Sequence, residues 1–381
     1  MIADRAASID ARALSLLALP LYAGLTTEQQ MYVFQPSPEN TRKVIVATNI
    51  AEASVTIDGI VYVIDCGFVK LRAFNPMTGI ETLTATGISK ASATQRAGRA
   101  GRTKPGKCHR LYTEATYNSL AEVTIPEIQR SNLAPMILQL KALGIDNIVR
   151  FDFLTPPPAE LVMRALELLH SLGALNEYAK LTKPLGIRMA ELSVEPMMAK
   201  VLLQASNFDC MSEILSIAAM TSLQGAVWVQ HSGEKRAGES SRRKFAVEEG
   251  DHLTMLNVYQ SFIGRGKKDA SWCRQHHLNY KSMMRAVSIR AQLKRYMERF
   301  GITVDESLVS KHKAENAGER IRRCLTTGFF AYAAHMQPDG TFRTISGGTQ
   351  LHAHPSSLMF VSRSWNNRQE ELVTDWAATE S

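Results

Sequence analysis

No apolar run in the 381 residues approaches the roughly 20 that a bilayer-spanning helix needs. The opening MIADRAASIDARALSLLALP has neither a basic n-region nor a small-residue cleavage site, so neither a membrane span nor a secretory leader is expected, and the chain reads as intracellular. Cysteine is scarce. Cys66, Cys108, Cys210, Cys273 and Cys324 are odd in number and far apart, which excludes a disulfide framework, matches no zinc spacing and predicts reduced core residues. His276 with His277, and His352 with His354, lack further ligands at a workable spacing, so no metal site is expected. Acid is missing where it is most needed: no Asp or Glu occurs between Glu81 and Glu114, an interval that holds QRAGRAGR, Gln95 to Arg102. Arginines on a helix surface ordinarily pair with acids three or four residues away. These have none, and the residues between them are small, so the expected partner is an anion that is not part of the chain.

A net charge of +8 with pI near 9.2 points the same way, toward nucleic acid or phosphate-rich ligands. At 45% hydrophobic residues the chain can bury real cores, and its length suits two or three domains. KVIVATN and GIVYVIDCG, between Arg42 and Gly67, are continuous β-branched runs, predicted as strands of a parallel sheet buried on both faces. Ligands bind at the carboxyl ends of such strands, which here carry Thr48, Asn49 and Asp65. GFVKLRAFNPMTGIETL predicts a hairpin turning at Asn75–Pro76, with Lys70 and Arg72 on its first arm. Ser89 or Ser92 can cap a helix that holds QRAGRAG and ends at Thr103 to Gly106, before the strand CHRLYT.

Beyond Ile125 the pattern becomes helical. NLAPMILQLKALG places Leu133, Ile137, Leu140 and Leu143 on one stripe, and TPPPAELVMRALELLHSLGAL, capped at Thr155, turns Leu161, Ala165, Leu168, Leu169 and Leu172 inward. LNEYAKLTKPLG resembles the short hairpin after the second helix of a winged-helix unit. Helical pattern continues from Met197 to about Tyr296, interrupted by the polar loop HSGEKRAGESSRRK. GFFAYAAHMQPDGTFRTI then predicts strand, Asp-Gly turn and strand of a small β domain.

TNIAEASVTIDG, Thr48 to Gly59, and QRAGRAGR, with LPLYAGLTTEQQ before them and the hairpin between, resemble motifs IV to VI of the second RecA-like domain of DEAH-box ATP-dependent RNA helicases. SNLAPMILQLKALGIDN, FAVEEGDHLTMLNVY and WCRQHHLNYKSMMRA are similar to landmarks further along that family, and its splicing-associated nuclear members are the nearest in pattern. The resemblance implies an α/β plus mainly α chain. Its expected parts are a partial RecA-like parallel-sheet domain over residues 1–122, a winged helix over 123–190, a helical ratchet (HA2) domain over 191–300 and a truncated OB-fold over 301–381. It assigns Gln95, Arg99 and Arg102 to the γ-phosphate of ATP, with Arg96 instead bracing the sheet or facing acids of a neighbouring domain. It gives Asp58 to the ribose or its waters, Phe34 to stacking on the adenine, and Thr48 and Thr56 to RNA backbone phosphates. The hairpin from Lys70 to Leu83 would lie across the RNA path, with Lys70, Arg72 and Phe74 in contact, and Asn279, Tyr280, Arg285 and Arg290 would line an RNA-facing ratchet helix. Implied partners are ATP with Mg²⁺, single-stranded RNA, spliceosomal proteins and a G-patch activator, in the nucleus and off the membrane.

The sequence contains no G-x-x-x-x-G-K-[S/T] and no DEAH, and FIGRGKK neither follows a strand nor carries the Ser/Thr that would hold Mg²⁺. The expectation is a chain that starts inside the second RecA-like domain, without that domain's first strand or the first domain's phosphate cradle, and that is inactive alone. The stretch after LMFVSRSW does not resemble the rest of an OB-fold. A non-catalytic RNA- or protein-binding module derived from such a helicase is the competing reading.

Overall fold

The computed structural model describes residues 15–22, 25, 27–53, 56–223, 227–229, 235–304, 317–354 and 357. It comprises two units, one formed by Met1–Asn75 and Glu81–Ser131, the other by Pro76–Ile80 and Asn132–Ser381.

The first unit runs β1 (Ser15–Leu21), α1 (Thr27–Met31), a 3-10 turn (Tyr32–Phe34), β2 (Thr41–Ala47), α2 (Ile50–Ala53) and β3 (Tyr62–Asp65). The hairpin β4 (Phe68–Asn75) and β5 (Ile80–Gly87), then α3 (Lys90–Ala97), β6 (Lys107–Arg110) and α4 (Glu114–Ser119), complete it. The predicted strands are parallel, but they form two separate pairs: β1 with β2, from Ser15↔Thr41 to Leu21↔Ala47, and β3 with β6, from Tyr62↔Lys107 to Asp65↔Arg110. Burial on both faces does not hold. Val46 is 54% exposed, Tyr62 60% and Ile64 70%.

Ser89 is the cap of α3, its hydroxyl accepting the Ser92 amide at 3.1 Å. The helix stops at Ala97, short of the expected Thr103. Gly98 and Gly101 weaken helix continuation, and the chain proceeds through tighter turns, with Arg99 N donating to Arg96 O at 3.1 Å and Ala100 N to Ala97 O at 3.1 Å. Gly106 closes this segment: a Cβ there would lie 2.2 Å from Ala100 O and 2.5 Å from Val61 O. Only glycine lets the chain pass so close and enter β6 through Lys107 N to Val61 O at 2.8 Å.

In the second unit α5 (Ala134–Ala142), α6 (Ala159–Ser171) and α7 (Leu185–Glu191) frame a tight turn closed by one bridge between Leu175 and Leu181. Leu133, Ile137, Leu161, Ala165, Leu169 and Leu172 are buried as the periodicity predicts. Leu143 is not, at 78% exposed; Leu138 replaces it, since the helix ends at Ala142 and Leu143 lies past its last turn. Pro158, not Thr155, occupies the N-cap of α6. Lys141 is buried with its Nζ on Asp146 O at 2.9 Å, and that burial pulls its pKa down.

The helical body continues with α8 (Pro196–Gln204), α9 (Met211–Thr221), α10 (Lys235–Arg243), α11 (Asp251–Gly264), α12 (Ala270–Gln275), α13 (Tyr280–Arg299) and α14 (Ala317–Phe329). α9 is apolar nearly all round and sits at the centre, against α8, α11 and α13; Ile214, Leu215, Ile217, Ala218 and Ala219 have no exposure. Part of the predicted polar loop is therefore the helix α10, while residues 231–234 lie outside the described residues. Cys210, Cys273 and Cys324 are buried thiols, as expected of core residues, but Cys66 is exposed and Cys108 half-buried.

The predicted strand, Asp-Gly turn and strand are present, but the first strand starts later than expected. Gly328 and Phe329 end α14 and Phe330 opens a 3-10 turn, so GFF is not a strand; α14 packs on α8 closely enough that Cys324 Sγ meets Val201 O at 3.6 Å. Beyond α14 lies a three-stranded antiparallel sheet, β7 (Ala334–Met336), β8 (Phe342–Thr344) and β9 (Gln350–Leu351), turning at Asp339–Gly340. Among the described residues that sheet has these three short strands, and the sequence after LMFVSRSW lies outside the described residues.

Gly328 gives this packing a test. A Cβ at that position would lie 2.1 Å from Met197 O, a backbone atom that cannot rotate away. Gly328→Ala should cost about 2 kcal/mol by overpacking the α8–α14 contact, read as a lowered urea midpoint at unchanged slope.

Candidate functional site

Of the three arginines in QRAGRAGR, Arg96 is bound by two acids of the fold. Arg96 Nε donates to Glu52 Oε2 at 3.0 Å and its Nη1 to Asp65 Oδ1 at 2.8 Å, tying α3 to α2 and to the end of β3. Asp65, 2% exposed, also accepts the Gly67 amide at 3.0 Å and the Tyr112 hydroxyl at 2.8 Å. Burial alone would raise the Asp65 pKa, but the bonds from Gly67, Arg96 and Tyr112 outweigh it and hold the carboxyl below its ordinary value. Burial and the adjacent Asp65 carboxylate push Tyr112 up to about 12. Two readings are corrected. The arginine segment does have acidic partners, which proximity in sequence conceals, and Asp65 at the strand end is occupied by the fold rather than offered to a ligand. The expectation that Arg96 braces the sheet agrees with this geometry.

Once Arg96 points inward, the rest of the segment is oriented. Gln95, about 100° round α3 from Arg96, is exposed, and Arg99 and Arg102 fall in the turns after the helix, Arg99 half-buried and Arg102 exposed. Ala93 and Ala100 are buried, so the small residues are what lets this segment lie close to β3 and β6. Arg102 Nη1 donates to Thr56 Oγ1 at 2.5 Å, which joins one residue expected at a phosphate of ATP to one expected at a phosphate of RNA. Asp58 is exposed two residues further on, before the left-handed Gly59 (φ 77°). Thr48 is exposed at the end of β2, where its carbonyl accepts the Ala51 amide at 3.2 Å. Phe34 is 40% exposed on its 3-10 turn, which Lys43 holds by donating from Nζ to Val33 O at 3.0 Å and to Gln35 O at 2.5 Å.

On the hairpin, Lys70 and Arg72 are exposed but Phe74 is buried at 8% exposure, so its assignment as a stacking surface fails. The chain around Arg130 runs alongside this end of β4: Phe74 N donates to Arg130 O at 2.7 Å and Arg130 Nη1 to Arg72 O at 2.8 Å. Arg130 is invisible from sequence because its partners are backbone groups. The side chain that is open near the tip is Met77, 87% exposed.

The expected ratchet face is also revised. Asn279 caps α13, accepting the Ser282 amide at 3.2 Å, and Arg290 points into the bundle with Nε on Ser216 Oγ at 3.0 Å and Nη2 on Ser212 Oγ at 2.9 Å. Two serines one turn apart on α9 thus receive the guanidinium, with the Ser212 carbonyl at 3.5 Å from Nη2. Tyr280, 38% exposed, and Arg285 remain open.

Removing Arg96 should leave Asp65 buried without its cation. Arg96→Ala is expected to cost about 3 kcal/mol in urea unfolding. The pH dependence has a definite sign: the folded-state pKa of Asp65 lies below 3.8, so its contribution is complete above about pH 4 and is lost as pH falls through the depressed folded value. Asp65→Asn should flatten that acid limb, and an unchanged limb would show that Asp65 is not the group being titrated.

Comparison with known proteins agrees with this architecture. The "Helicase conserved C-terminal domain" model matches residues 3–104, the "Helicase associated domain (HA2), winged-helix" model residues 165–194, and the "Helicase associated domain (HA2), ratchet-like" model residues 195–255. The chain is 52% identical over 348 residues to a Homo sapiens protein named probable ATP-dependent RNA helicase DHX35, and 53% identical to the Pongo abelii protein of that name. It is 48% identical to a Caenorhabditis elegans homologue. Each alignment takes in 91% of this chain and 48%, 47% and 46% of the respective relative, so the chain spans about half the length of the curated relatives it matches. With the arginine segment, the winged helix and the ratchet helices all in the family's order, the chain belongs to the DEAH-box RNA helicases and carries their C-terminal helicase and helicase-associated domains.

Proposed function

We propose that this chain is the γ-phosphate-sensing and RNA-binding half of an ATP-dependent RNA helicase that acts on single-stranded RNA or RNA–protein complexes in pre-mRNA splicing, in the nucleus. The observation that carries the reading is the division of labour in QRAGRAGR: Arg96 is bound by Glu52 and Asp65, while Gln95 is exposed on the helix and Arg99 and Arg102 lie in the turns beyond it. The donor set fits a nucleotide, with cations and an amide for phosphate oxygens, exposed Asp58 for a ribose and exposed Phe34 for a base. ATP supplies the free energy of phosphoryl transfer. The phosphate cradle and the Mg²⁺ site belong, in this proposal, to a first RecA-like domain in the part of the helicase that this chain does not span.

Arg99 and Arg102 act by neutralising charge on the transferring phosphoryl group, a contribution of about 10³ to 10⁵ in rate for a well-placed arginine. Thr48, Thr56, Lys70 and Arg72 contact the RNA backbone through hydroxyls and cations, which position a strand without reading its bases. Specificity then comes from partners, for which spliceosomal proteins and a G-patch activator are the proposed candidates.

In the enzyme assembled with its first domain, Arg99→Ala and Arg102→Ala should each lower kcat by at least about 100-fold while changing nucleotide affinity far less, because these contacts strengthen as charge develops. Equal losses in kcat and affinity would refute the assignment. For RNA, two unrelated single strands of equal length should bind within about tenfold of one another, roughly 1.4 kcal/mol, and should weaken together as salt rises. A salt-insensitive preference for one sequence would mean that base edges are read.

A further inference from the structure

The loop between α11 and α12, Arg265-Gly266-Lys267-Lys268, takes no part in the site described above. Its three cations are exposed, and among the described residues none of their side chains makes an ion pair or hydrogen bond. The backbone is unusual. Lys267 and Lys268 both lie in the left-handed region, at φ 45° and 59°, where glycine or asparagine is the ordinary occupant. Two successive lysines in that conformation are strained, and an observed outlier of this kind is a pointer to function.

The loop is also built to stay in place. Gly266 N donates to Ser261 O at 2.9 Å, Lys268 N to Phe262 O at 3.0 Å and Asp269 N to Gly266 O at 2.8 Å. Gly266 itself is buried, and a Cβ there would lie 2.6 Å from the Trp272 ring. The adjacent carboxylate does not quench the charge: Asp269 is the cap of α12, with its Oδ2 on Trp272 N at 3.0 Å and on the Ser271 hydroxyl. Between Asp251 and Glu298, Asp269 is the sole carboxylate, against nine lysines and arginines. Beside the loop stands an aromatic surface, since Tyr280, 38% exposed, meets Phe262 edge-on at 6.5 Å, and Phe262 O is the acceptor for Lys268 N.

We infer that Arg265, Lys267 and Lys268 form a preorganised contact for RNA phosphates, additional to the Thr48 and Thr56 groups, with Tyr280 as an adjoining surface on which a base stacks. The inference rests on the RNA-binding reading above. Fixed cations, a single neighbouring acid that is held by its helix cap, and an exposed ring suit a strand that alternates phosphates with flat bases better than they suit an acidic peptide, which would leave the ring unused. Preorganisation matters because the loop loses little conformational freedom on binding.

The test measures binding of a fluorescent oligouridylate to the 381-residue chain between about 50 and 200 mM salt, the range over which counterion release is steep. In Lys267→Gly/Lys268→Gly the left-handed backbone is relieved, so the fold is retained while two charges are lost; Lys267→Asn/Lys268→Asn serves the same purpose should the glycine pair fail to fold. Either variant should bind about tenfold more weakly at the lower salt, with the slope of log affinity against log salt reduced by about two, one for each lysine. Tyr280→Ala should weaken binding with the slope unchanged. Wild-type binding together with an unaltered affinity and slope in the lysine variants would overturn this inference alone. Absence of wild-type binding would remove the RNA-binding reading and this inference with it, and displacement of the RNA by polyglutamate as readily as by unlabelled oligouridylate would assign the loop to acidic peptides instead.

Discussion

The geometry of the first unit depends on one buried ion cluster, Arg96 between Glu52 and Asp65. It joins three elements that are far apart in sequence, α2, the end of β3 and α3, and it does so with side chains that retain little contact with water. Burying such a cluster does not by itself make a protein more stable than an apolar core would. Its value is directional. A guanidinium that must meet two carboxylates at about 3 Å admits one rotation of α3, and that rotation settles which residues of QRAGRAGR face in and which face out. The Tyr112 hydroxyl and the Gly67 amide also donate to Asp65, so both of its oxygens have partners.

The same economy of small residues recurs wherever backbone must approach backbone. Gly106 lets the chain cross beneath Ala100 on its way into β6, and Gly328 lets α14 lie on α8. In the first case the result is an arginine turn lying close to the sheet; in the second it is a helix that joins the ratchet body although its sequence stands beside the β strands. The central helix α9 solves a different problem. Because it is surrounded, its few polar side chains must find partners within the bundle, and Ser212 and Ser216 do so by receiving Arg290. A residue that reads as an RNA contact by spacing is thus a strut between two helices.

Much of the architecture is legible in the sequence alone. Continuous β-branched runs announce parallel strands, the stripe through Leu161, Ala165, Leu169 and Leu172 announces a core-facing helix, and the cap of α3 is narrowed to Ser89 or Ser92, of which the structure uses Ser89. These features are local: each is set by periodicity or by hydrogen bonding within a few residues. The features that escape such a reading are non-local. Phe74 has the composition of a stacking residue, but the chain around Arg130, more than fifty residues away, runs alongside its strand. Burial of both sheet faces is overestimated because apolar content reports what a strand can bury and not which neighbours the chain supplies. The end of α14 reads as a strand because GFFAYAA has strand propensity, and packing on α8 overrides it.

The candidate site divides along the same line. By itself the sequence determined the family, the residue types and their order: arginines at a spacing of three among alanines and glycines, hydroxyls in TNIAEASVTIDG, and a basic loop with a single acid beside it. These survive any change of fold because they are properties of the chain. Tertiary structure decided which arginine is spent on the acids of the fold and which lie on the turn beyond, placed Thr56 against Arg102, and set Lys267 and Lys268 in a left-handed turn braced on Trp272. The physical reason is that charge and hydrogen-bonding capacity are written residue by residue, whereas desolvation, which determines whether a charge is spent on the fold or kept for a ligand, depends on neighbours that only folding brings together.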